Sequence, residues 1–280
     1  MNEIEKPIIV GFTADLMFSS KIQNVANATG FRMKWVESAA ELGEMDSNEK
    51  IRGERLHGRE GQLFQKMAAW QPVLLLFDLT NQAIPWEKWL PLLKTSSATR
   101  RIPIIAFGPH TDVDIFQTAK SRGADAVYAR SRFFGNMPHL LQKHARLPDS
   151  EALADICAEP LAALALTGIA LFNQGEYYKC HDALEEAWKQ DTTPGRNLYR
   201  GVLQYSIALY QIEQSNYRGA VKMLLRVRQW LDPLPVVCRS VNVARLRENI
   251  QLTADKVQEL GEDGLVTFDF TAVLPIEIIE

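Results

Sequence analysis

The sequence contains few cysteines, and their spacing forms no recognisable motif. Of the 280 residues only three are Cys, and Cys157, Cys180 and Cys238 make no CxxC pair and no even set. Such a pattern offers neither a zinc site nor the disulfide framework of a small secreted domain. We therefore expect reduced cysteines, a cytoplasmic location, no metal and no cofactor.

Long apolar runs and a strong excess of one charge are also missing. No apolar stretch approaches the roughly 20 residues that a membrane-spanning helix needs, and residues 1–10 lack the basic start of a secretory signal. The net charge is only −3, which argues against a nucleic-acid coat or a membrane-surface protein. We expect no signal peptide, no membrane association and no nucleic-acid partner.

The residue patterns change near residues 147–150, a polar, Pro-containing stretch typical of a linker or a helix cap. Before it, apolar runs alternate with helical patterns; after it, helical patterns dominate. We expect an α/β domain over 1–148, a helical domain over 149–261 and an apolar tail over 262–280. The tail is expected to pack across the first domain or onto a second copy of the chain.

Apolar runs in the first part indicate buried strands. Residues 7–12, 73–79 and 102–107 are continuously apolar rather than alternating, as in strands covered on both faces of a parallel sheet. Helical patterns lie between them, and residues 123–129 return as a last strand. This alternation predicts a doubly wound α/β fold with a flavodoxin-like parallel sheet.

The segments PVLLLFDLT, RIPIIAFG and AKSRGADAVYAR resemble a bacterial response-regulator receiver domain over about residues 7–145. The resemblance implies that Asp78, at the end of the third strand, occupies the phosphoacceptor position. It also implies acidic Mg²⁺ ligands after the first strand, a hydroxyl after the fourth and a Lys after the fifth. Here Asp15 is the acid nearest the first strand, Gly108 ends the fourth, and Arg130 replaces the Lys. We therefore predict a degenerate receiver, or pseudo-receiver, in which Asp78 is a strand-end cap or a partner of Arg130.

Residues 40–62 form a highly charged segment with four glycines. We expect a solvated loop and the start of a helix. The alternative is a mobile element that binds phosphate or a partner through its basic residues, which are Arg52, Arg55, His57 and Arg59. Together with Arg100 and Arg101, the arginines also leave RNA binding as a weaker alternative, since no aromatic platform accompanies them.

The part after residue 151 shows helical periodicity and predicts a bundle of about five to six helices. The clearest helices are predicted over 161–172, 176–190, 197–213, 217–231 and 238–260. Two of the helical hairpins repeat one another weakly, but two copies are too few for a solenoid.

Ionisable residues interrupt the apolar face of the helix predicted over 176–190. His181 and Glu185 are four residues apart and share one helical face. A buried carboxylate needs partners, and Arg200 and Gln204 share a face of the next helix, so we expect the two pairs to meet inside the bundle. The candidate cluster or ligand pocket comprises Tyr177, His181, Asp182, Glu185, Trp188, Arg200 and Gln204.

Three interpretations of this cluster stay open: a structural network, a small-molecule pocket and a metal site. The metal site is the weakest because His181, Asp182 and Glu185 come from one helix and Arg200 would repel a cation. No Ser-His-Asp or Cys-His arrangement is evident, so no catalytic residue is assigned and we favour a protein that is not an enzyme.

The same region carries a second resemblance. The segments LFNQGEYYKCHDALEEAW and RNLYRGVLQYSIALYQIEQSNYRGAVKML are similar, over roughly 160–230, to the bacterial and archaeal family named domain of unknown function 309. Asp182 departs from this family, which has Glu there. The residues that carry the resemblance are Phe172, Asn173, Gly175, Tyr177, His181, Leu184, Glu185, Trp188 and Gln204. The family implies an all-helical fold and no established activity.

Together these observations favour a cytoplasmic, non-catalytic signalling adaptor or scaffold. It would bind a protein partner or form a homodimer. The alternative is a small-molecule sensor or an enzyme that uses His181, Glu185, Arg200 and Gln204.

Overall fold

The computed structural model describes residues 6–44 and 56–279. The chain divides into two units, Met1–Leu147 and Pro148–Glu280. Of the charged segment 40–62, residues 45–55, which include Arg52 and Arg55, lie outside the described residues. Arg59 is described, and its Nε donates a hydrogen bond to the carbonyl of Gly43 at 3.0 Å.

A five-stranded sheet forms the centre of the first unit. Its strands are β1 (Ile8–Phe12), β2 (Arg32–Trp35), β3 (Leu74–Asp78), β4 (Ile104–Gly108) and β5 (Ala126–Ala129). All neighbouring strands are parallel, in the order β2-β1-β3-β4-β5. Both β3 and β4 are buried along their whole length, as their continuous apolar runs predict. The order is that of a flavodoxin-like doubly wound fold, and the predicted fold class is confirmed.

Helices join these strands. They are α1 (Leu16–Ala28), α2 (Gly58–Trp70), α3 (Trp86–Thr95), α4 (Val113–Ser121), α5 (Arg130–Gly135) and α6 (Met137–His144). Asp15 and Asp112 cap α1 and α4 by accepting hydrogen bonds from backbone N–H groups of the first turn. Parallel strands joined by helices bring the carboxyl ends of β1, β3, β4 and β5 to one edge of the sheet.

The second unit is mainly helical. Its helices within the described residues are α7 (Ser150–Cys157), α8 (Ala163–Asn173), α9 (Cys180–Gln190), α10 (Asn197–Glu213), α11 (Tyr217–Leu231) and α12 (Val243–Gly264), which is kinked at Gly261. Most residues of α10 are buried, and this central helix packs against both α9 and α11. Across residues 6–44 and 56–279, no helix is long and apolar enough to cross a membrane.

A short hairpin interrupts the helices of the second unit. It consists of β6 (Val237–Cys238) and β7 (Val241–Asn242), which pair antiparallel. The expectation of a helix starting at residue 238 is therefore wrong. The two turn residues, Arg239 and Ser240, have φ angles of 50° and 64°. Asn-Gly or Asp-Gly is the usual signal for such a turn, and Arg-Ser carries none.

Cys157, at the end of α7, and Cys238, in β6, form a disulfide. This overturns the expectation of three reduced cysteines, and Cys180 alone is free and buried. The pair lies 81 residues apart. Spacing in the sequence does not reveal which cysteines meet, and only the packing of α7 against the hairpin brings these two together.

The C-terminal tail packs on the second unit itself. The carboxamide of Asn173 donates to the carbonyl of Ile276 at 3.0 Å and accepts from its N–H at 2.7 Å. The carboxamide of Asn249 does the same with the backbone of Leu274 at 2.7 and 3.2 Å. Two Asn side chains of the second unit thus hold the backbone of the tail at Leu274 and Ile276. The expectation that residues 262–280 pack across the first domain or onto a second copy stays a prediction.

Candidate functional sites

The Asp78 carboxylate lies at the carboxyl end of β3 and is 3% exposed. One of its oxygens accepts a hydrogen bond from the hydroxyl of Thr13 at 3.1 Å. The other accepts from the backbone N–H and the hydroxyl of Thr80 at 3.0 and 2.7 Å. Three donors therefore satisfy this buried carboxylate, as burial of a charged group requires.

Arg130, which follows β5, lines the same cleft beside Asp78. Its Nη2 lies 3.7 Å from Asp78 Oδ1 and donates to the hydroxyl of Thr80 at 2.9 Å. Its guanidinium stacks over the ring of Phe18, 4.6 Å from the ring centroid. The Thr80 hydroxyl thus accepts from the arginine and donates to the carboxylate, which fixes both charges in one arrangement.

Asp15 lines the same open cleft of about 550 Å³ but has another task. Its carboxylate accepts from the N–H groups of Met17 and Phe18 at 2.9 and 3.0 Å and so caps α1. The residue that contacts Asp78 from the end of β1 is Thr13, which sequence reasoning did not select. A signal was present, since Thr13 immediately follows β1.

These residues do not fit the Mg²⁺ ion that a receiver fold implies. Mg²⁺ prefers several hard oxygen ligands in octahedral geometry, whereas the Asp15 carboxylate caps a helix and Thr13 is neutral. The guanidinium of Arg130 beside Asp78 would also repel a second cation. No group of three or more His, Cys, Asp or Glu side chains that could hold a metal occurs in the described part of the chain.

The polar residues of α9 lie at the surface rather than inside the bundle. The side chains of His181 and Glu185 are 35% and 38% exposed. His181 Nδ1 lies 3.2 Å from Asp182 Oδ1, and Glu185 pairs with Lys189 at 3.2 Å. The expectation of burial is wrong because the buried face of α9 consists of Cys180, Leu184 and Ala187. His181 and Glu185 are each one residue past that face, about 100° around the helix.

The other residues of the predicted cluster pack around two tryptophans. The guanidinium of Arg200 lies 3.9 Å from the ring centroid of Trp230 and 5.0 Å from that of Trp188. Gln204 accepts from the indole N–H of Trp230 at 3.0 Å. Tyr177 instead belongs to the core, with its ring 5.4 Å from that of Phe172. Trp230 comes from α11, and no spacing in the sequence links it to α9.

Sequence reasoning missed a buried charged cluster around Arg239, the first residue of the hairpin turn. Its side chain is 5% exposed and lies 2.8 Å from Asp191 Oδ2 and 3.3 Å from Glu159 Oε2. It also donates to the hydroxyls of Tyr199 and Thr193. These partners come from distant loops and from α10, so no local pattern reveals the cluster.

A protein-family model, Domain of unknown function (DUF309), matches residues 166–223. The match runs from α8 into α11 and confirms the second resemblance. The uncharacterized protein YpuF of Bacillus subtilis (strain 168) is 38% identical over 50 residues, which are 18% of this chain and 29% of that protein. The chain therefore spans less than a third of the curated relative that it matches.

Solved structures that match the first half are response-regulator receivers. A putative response regulator of Chloroflexus aurantiacus is 12% identical with a TM-score of 0.39, covering 50% of this chain and 97% of that one. The receiver domain of a Pseudomonas aeruginosa sensor histidine kinase has the same identity and coverages and a TM-score of 0.38. The chemotaxis response regulator CheY4 of Vibrio cholerae is 11% identical with a TM-score of 0.37, covering 49% and 98%. The fold of the first unit is established by its strand order.

Proposed function

We propose that this protein is a cytoplasmic, non-catalytic signalling adaptor whose receiver-like unit is not switched by phosphorylation. The observation that supports this function is the placement of Arg130 against Asp78, 3.7 Å from its carboxylate. The receiver resemblance implies a Lys at this position, whose compact ammonium would meet the phosphoryl group. Here a bulkier, planar guanidinium takes that place and is already held by the hydroxyl of Thr80 and the ring of Phe18.

The two threonines support the same proposal. A carboxylate that attacks a phosphorus atom must present a free oxygen to it, and a bound metal ion would normally neutralise the incoming phosphoryl group. Both Asp78 oxygens already accept hydrogen bonds, one from Thr13 and the other from Thr80. Phosphorylation would break these contacts with no metal to compensate.

A receiver-like unit that phosphorylation does not switch still offers a surface for docking. Leu16 and Met17, at the start of α1, are 74% and 76% exposed next to the Asp78 cleft, and neighbouring exposed apolar side chains are typical of protein contacts. The proposed partner is another protein or a second copy of the chain. Native mass spectrometry would detect the second copy directly.

Intact-protein mass spectrometry after incubation with acetyl phosphate and MgCl₂ tests the proposal. We expect no phosphoryl adduct on the wild-type chain. A Thr13→Asp/Arg130→Lys variant restores an acid and the compact cation, and it is the positive control that should gain an adduct. Adding Asp78→Asn should abolish that adduct. An adduct on wild-type Asp78 would overturn the proposal.

A small-molecule site on the α9–α11 face is the second candidate. The observation that favours it is the indole N–H of Trp188, which is buried and finds no acceptor within the described residues, beside the guanidinium of Arg200. A planar ligand with a carboxylate or phosphate group would supply an acceptor to the indole N–H and a negative charge to the guanidinium. Native mass spectrometry should then show a retained mass that Trp188→Phe loses; wild-type protein without one would contradict this candidate.

A further inference from the structure

Few contacts hold α7 to the rest of the second unit. The helix has 8 residues, of which Leu153 and Cys157 are buried. Ile156, also in α7, packs closely on Gly195. A Cβ added to that glycine would lie 2.7 Å from the Ile156 side chain. The carbonyl of Cys157 accepts a hydrogen bond from the N–H of Arg239 at 2.6 Å. The disulfide from Cys157 to Cys238 is the strongest of these attachments.

The hairpin at the other end of the disulfide is held by groups outside it. Arg239 and Ser240 both adopt left-handed backbone conformations, which cost free energy for residues other than glycine. The disulfide fixes Cys238 on one side of the turn, and the ion pairs with Asp191 and Glu159 fix the Arg239 side chain. The turn therefore depends on these anchors.

The same hairpin carries the end of the tail. The N–H of Ile279 donates to the carbonyl of Ser240 at 2.7 Å, and the N–H of Asn242 donates to the carbonyl of Glu277 at 2.9 Å. Val241 and Ile278 form an antiparallel bridge between them. Contacts thus run without interruption from α7 through the disulfide and the hairpin to residues 277–279.

We propose that Cys157–Cys238 is a reversible redox clasp whose reduction frees α7 and the end of the tail while α8–α11 stay folded. Disulfides in a reducing cytoplasm are usually transient or redox-sensing. The central helix α10 packs against α9 and α11 and does not depend on the disulfide for its buried face. Reduction of the disulfide would therefore release α7 and the end of the tail and leave the packing of α8–α11 unchanged.

The reductant is a dithiol. One of its thiolates attacks a sulfur of the pair, which breaks the S–S bond and forms a mixed disulfide with the protein. The second thiolate then displaces the protein sulfur. The protein gains two electrons and two protons and ends with two thiols, and the reductant ends as a disulfide.

Cys180 provides an internal control. Its side chain is fully buried and its Sγ–H donates to the carbonyl of Tyr177 at 3.1 Å. Burial also raises the pKa of this thiol, which keeps it protonated and slow to exchange. A Cys180→Ala variant should respond to reduction as the wild type does.

Hydrogen–deuterium exchange on the full chain tests the proposal, with oxidised protein, protein reduced by dithiothreitol, and Cys157→Ser. On reduction, amides of α7 and of residues 277–279 should exchange faster by on the order of tenfold or more, because a long closed loop is opened. Cys157→Ser should match the reduced wild type, and reoxidation should restore protection. Amides of α10 should not change.

Two results would overturn the proposal. Unchanged exchange in α7 and residues 277–279 after complete reduction would show that the disulfide controls neither segment. Faster exchange throughout α10 would show that the bond holds the whole unit together and is not a local clasp. Alkylation of the thiols followed by mass measurement confirms in each sample that reduction is complete.

Discussion

Each unit has a site in which an arginine faces a poorly exposed aspartate, Arg130 with Asp78 and Arg239 with Asp191, and the two sites are built differently. In the first unit, Asp78 accepts three hydrogen bonds from Thr13 and Thr80, while Arg130 stays 33% exposed and lies 3.7 Å away. In the second unit, Arg239 is 5% exposed and is itself the centre of the contacts. Without the arginine, both oxygens of Asp78 keep hydrogen-bond donors. Asp191 would keep donors only at Oδ1, from the N–H and the hydroxyl of Thr193 at 2.8 and 2.7 Å, while its Oδ2 would lose the Arg239 guanidinium.

The two sites should therefore respond differently to the loss of their arginine. Removing Arg130 would leave Asp78 with its hydroxyl and amide donors, so the cost in stability is small. The main consequence would concern the reactivity of Asp78 toward a phosphoryl group. Removing Arg239 would leave the Asp191 carboxylate, 12% exposed, without its cation. A buried charge that loses its partner is costly, so this consequence concerns the fold.

The largest effect is expected from Arg239→Met. Loss of the guanidinium should lower the free energy of unfolding by about 3 kcal/mol, because Oδ2 of the poorly exposed Asp191 carboxylate loses its cation and only Oδ1 keeps its donors from Thr193. Urea unfolding followed by circular dichroism measures the change. Arg196→Met, on a neighbouring turn and over the ring of Trp188, is the control and should cost less than half as much.

Arg130→Met is expected to have a smaller effect. The methionine keeps contact with the Phe18 ring and removes one hydrogen bond to Thr80 and a 3.7 Å ion pair. A cost of about 1 kcal/mol follows from a half-exposed contact of this kind. If Arg130→Met and Arg239→Met lowered the free energy of unfolding equally in the same urea experiment, the proposed difference between the two sites would be contradicted.

Acid is expected to act on the first unit through His144. Burial, helped by Lys143, lowers the pKa of His144 below its usual value of 6.5. The unfolded chain then binds this proton more tightly than the folded chain, so stability is present above pH 6.5 and is lost as the pH falls below it. Urea midpoints across that range should fall for the wild type and less for His144→Gln.

The opposite sign is expected for Asp232 in the second unit. Burial raises the pKa of Asp232 above its usual value of 3.8, against the influence of Arg228 and Arg247. The folded chain binds this proton more tightly, so the contribution is favourable at low pH and is lost as the pH rises from 3.8 through the raised pKa. Asp232→Asn should flatten this slope; a steeper slope would contradict the assignment.

Much of the first unit could be predicted from sequence because its signals are local. Continuous apolar runs gave β1, β3 and β4, and strand-end positions brought Asp78 and Arg130 to one edge of the sheet. The helices α10 (Asn197–Glu213) and α11 (Tyr217–Leu231) coincide with their predicted ranges, since turn residues and periodicity bound them on both sides.

The second unit was predicted less well where contacts are long-range. Whether His181 and Glu185 face inward depends on which residues of α9 the neighbouring helices cover. Leu184 is next to Glu185 in sequence, so the sequence pattern places both on nearly the same side of the helix. The Cys157–Cys238 pair, the Arg239 cluster and the docking of the tail join residues far apart in the chain. Such pairings are set by packing and leave no periodic trace in the sequence.

Fluorine NMR of beryllofluoride, with Mg²⁺ present, tests most directly the claim that Asp78 does not accept a phosphoryl group. Beryllofluoride forms a phosphoryl-like adduct only where a carboxylate oxygen and a metal ion are available together. With Arg130 beside Asp78 and Thr13 in place of an acid, we expect the spectrum of the wild-type protein to show free beryllofluoride alone. A bound signal that disappears in Asp78→Asn would contradict the account.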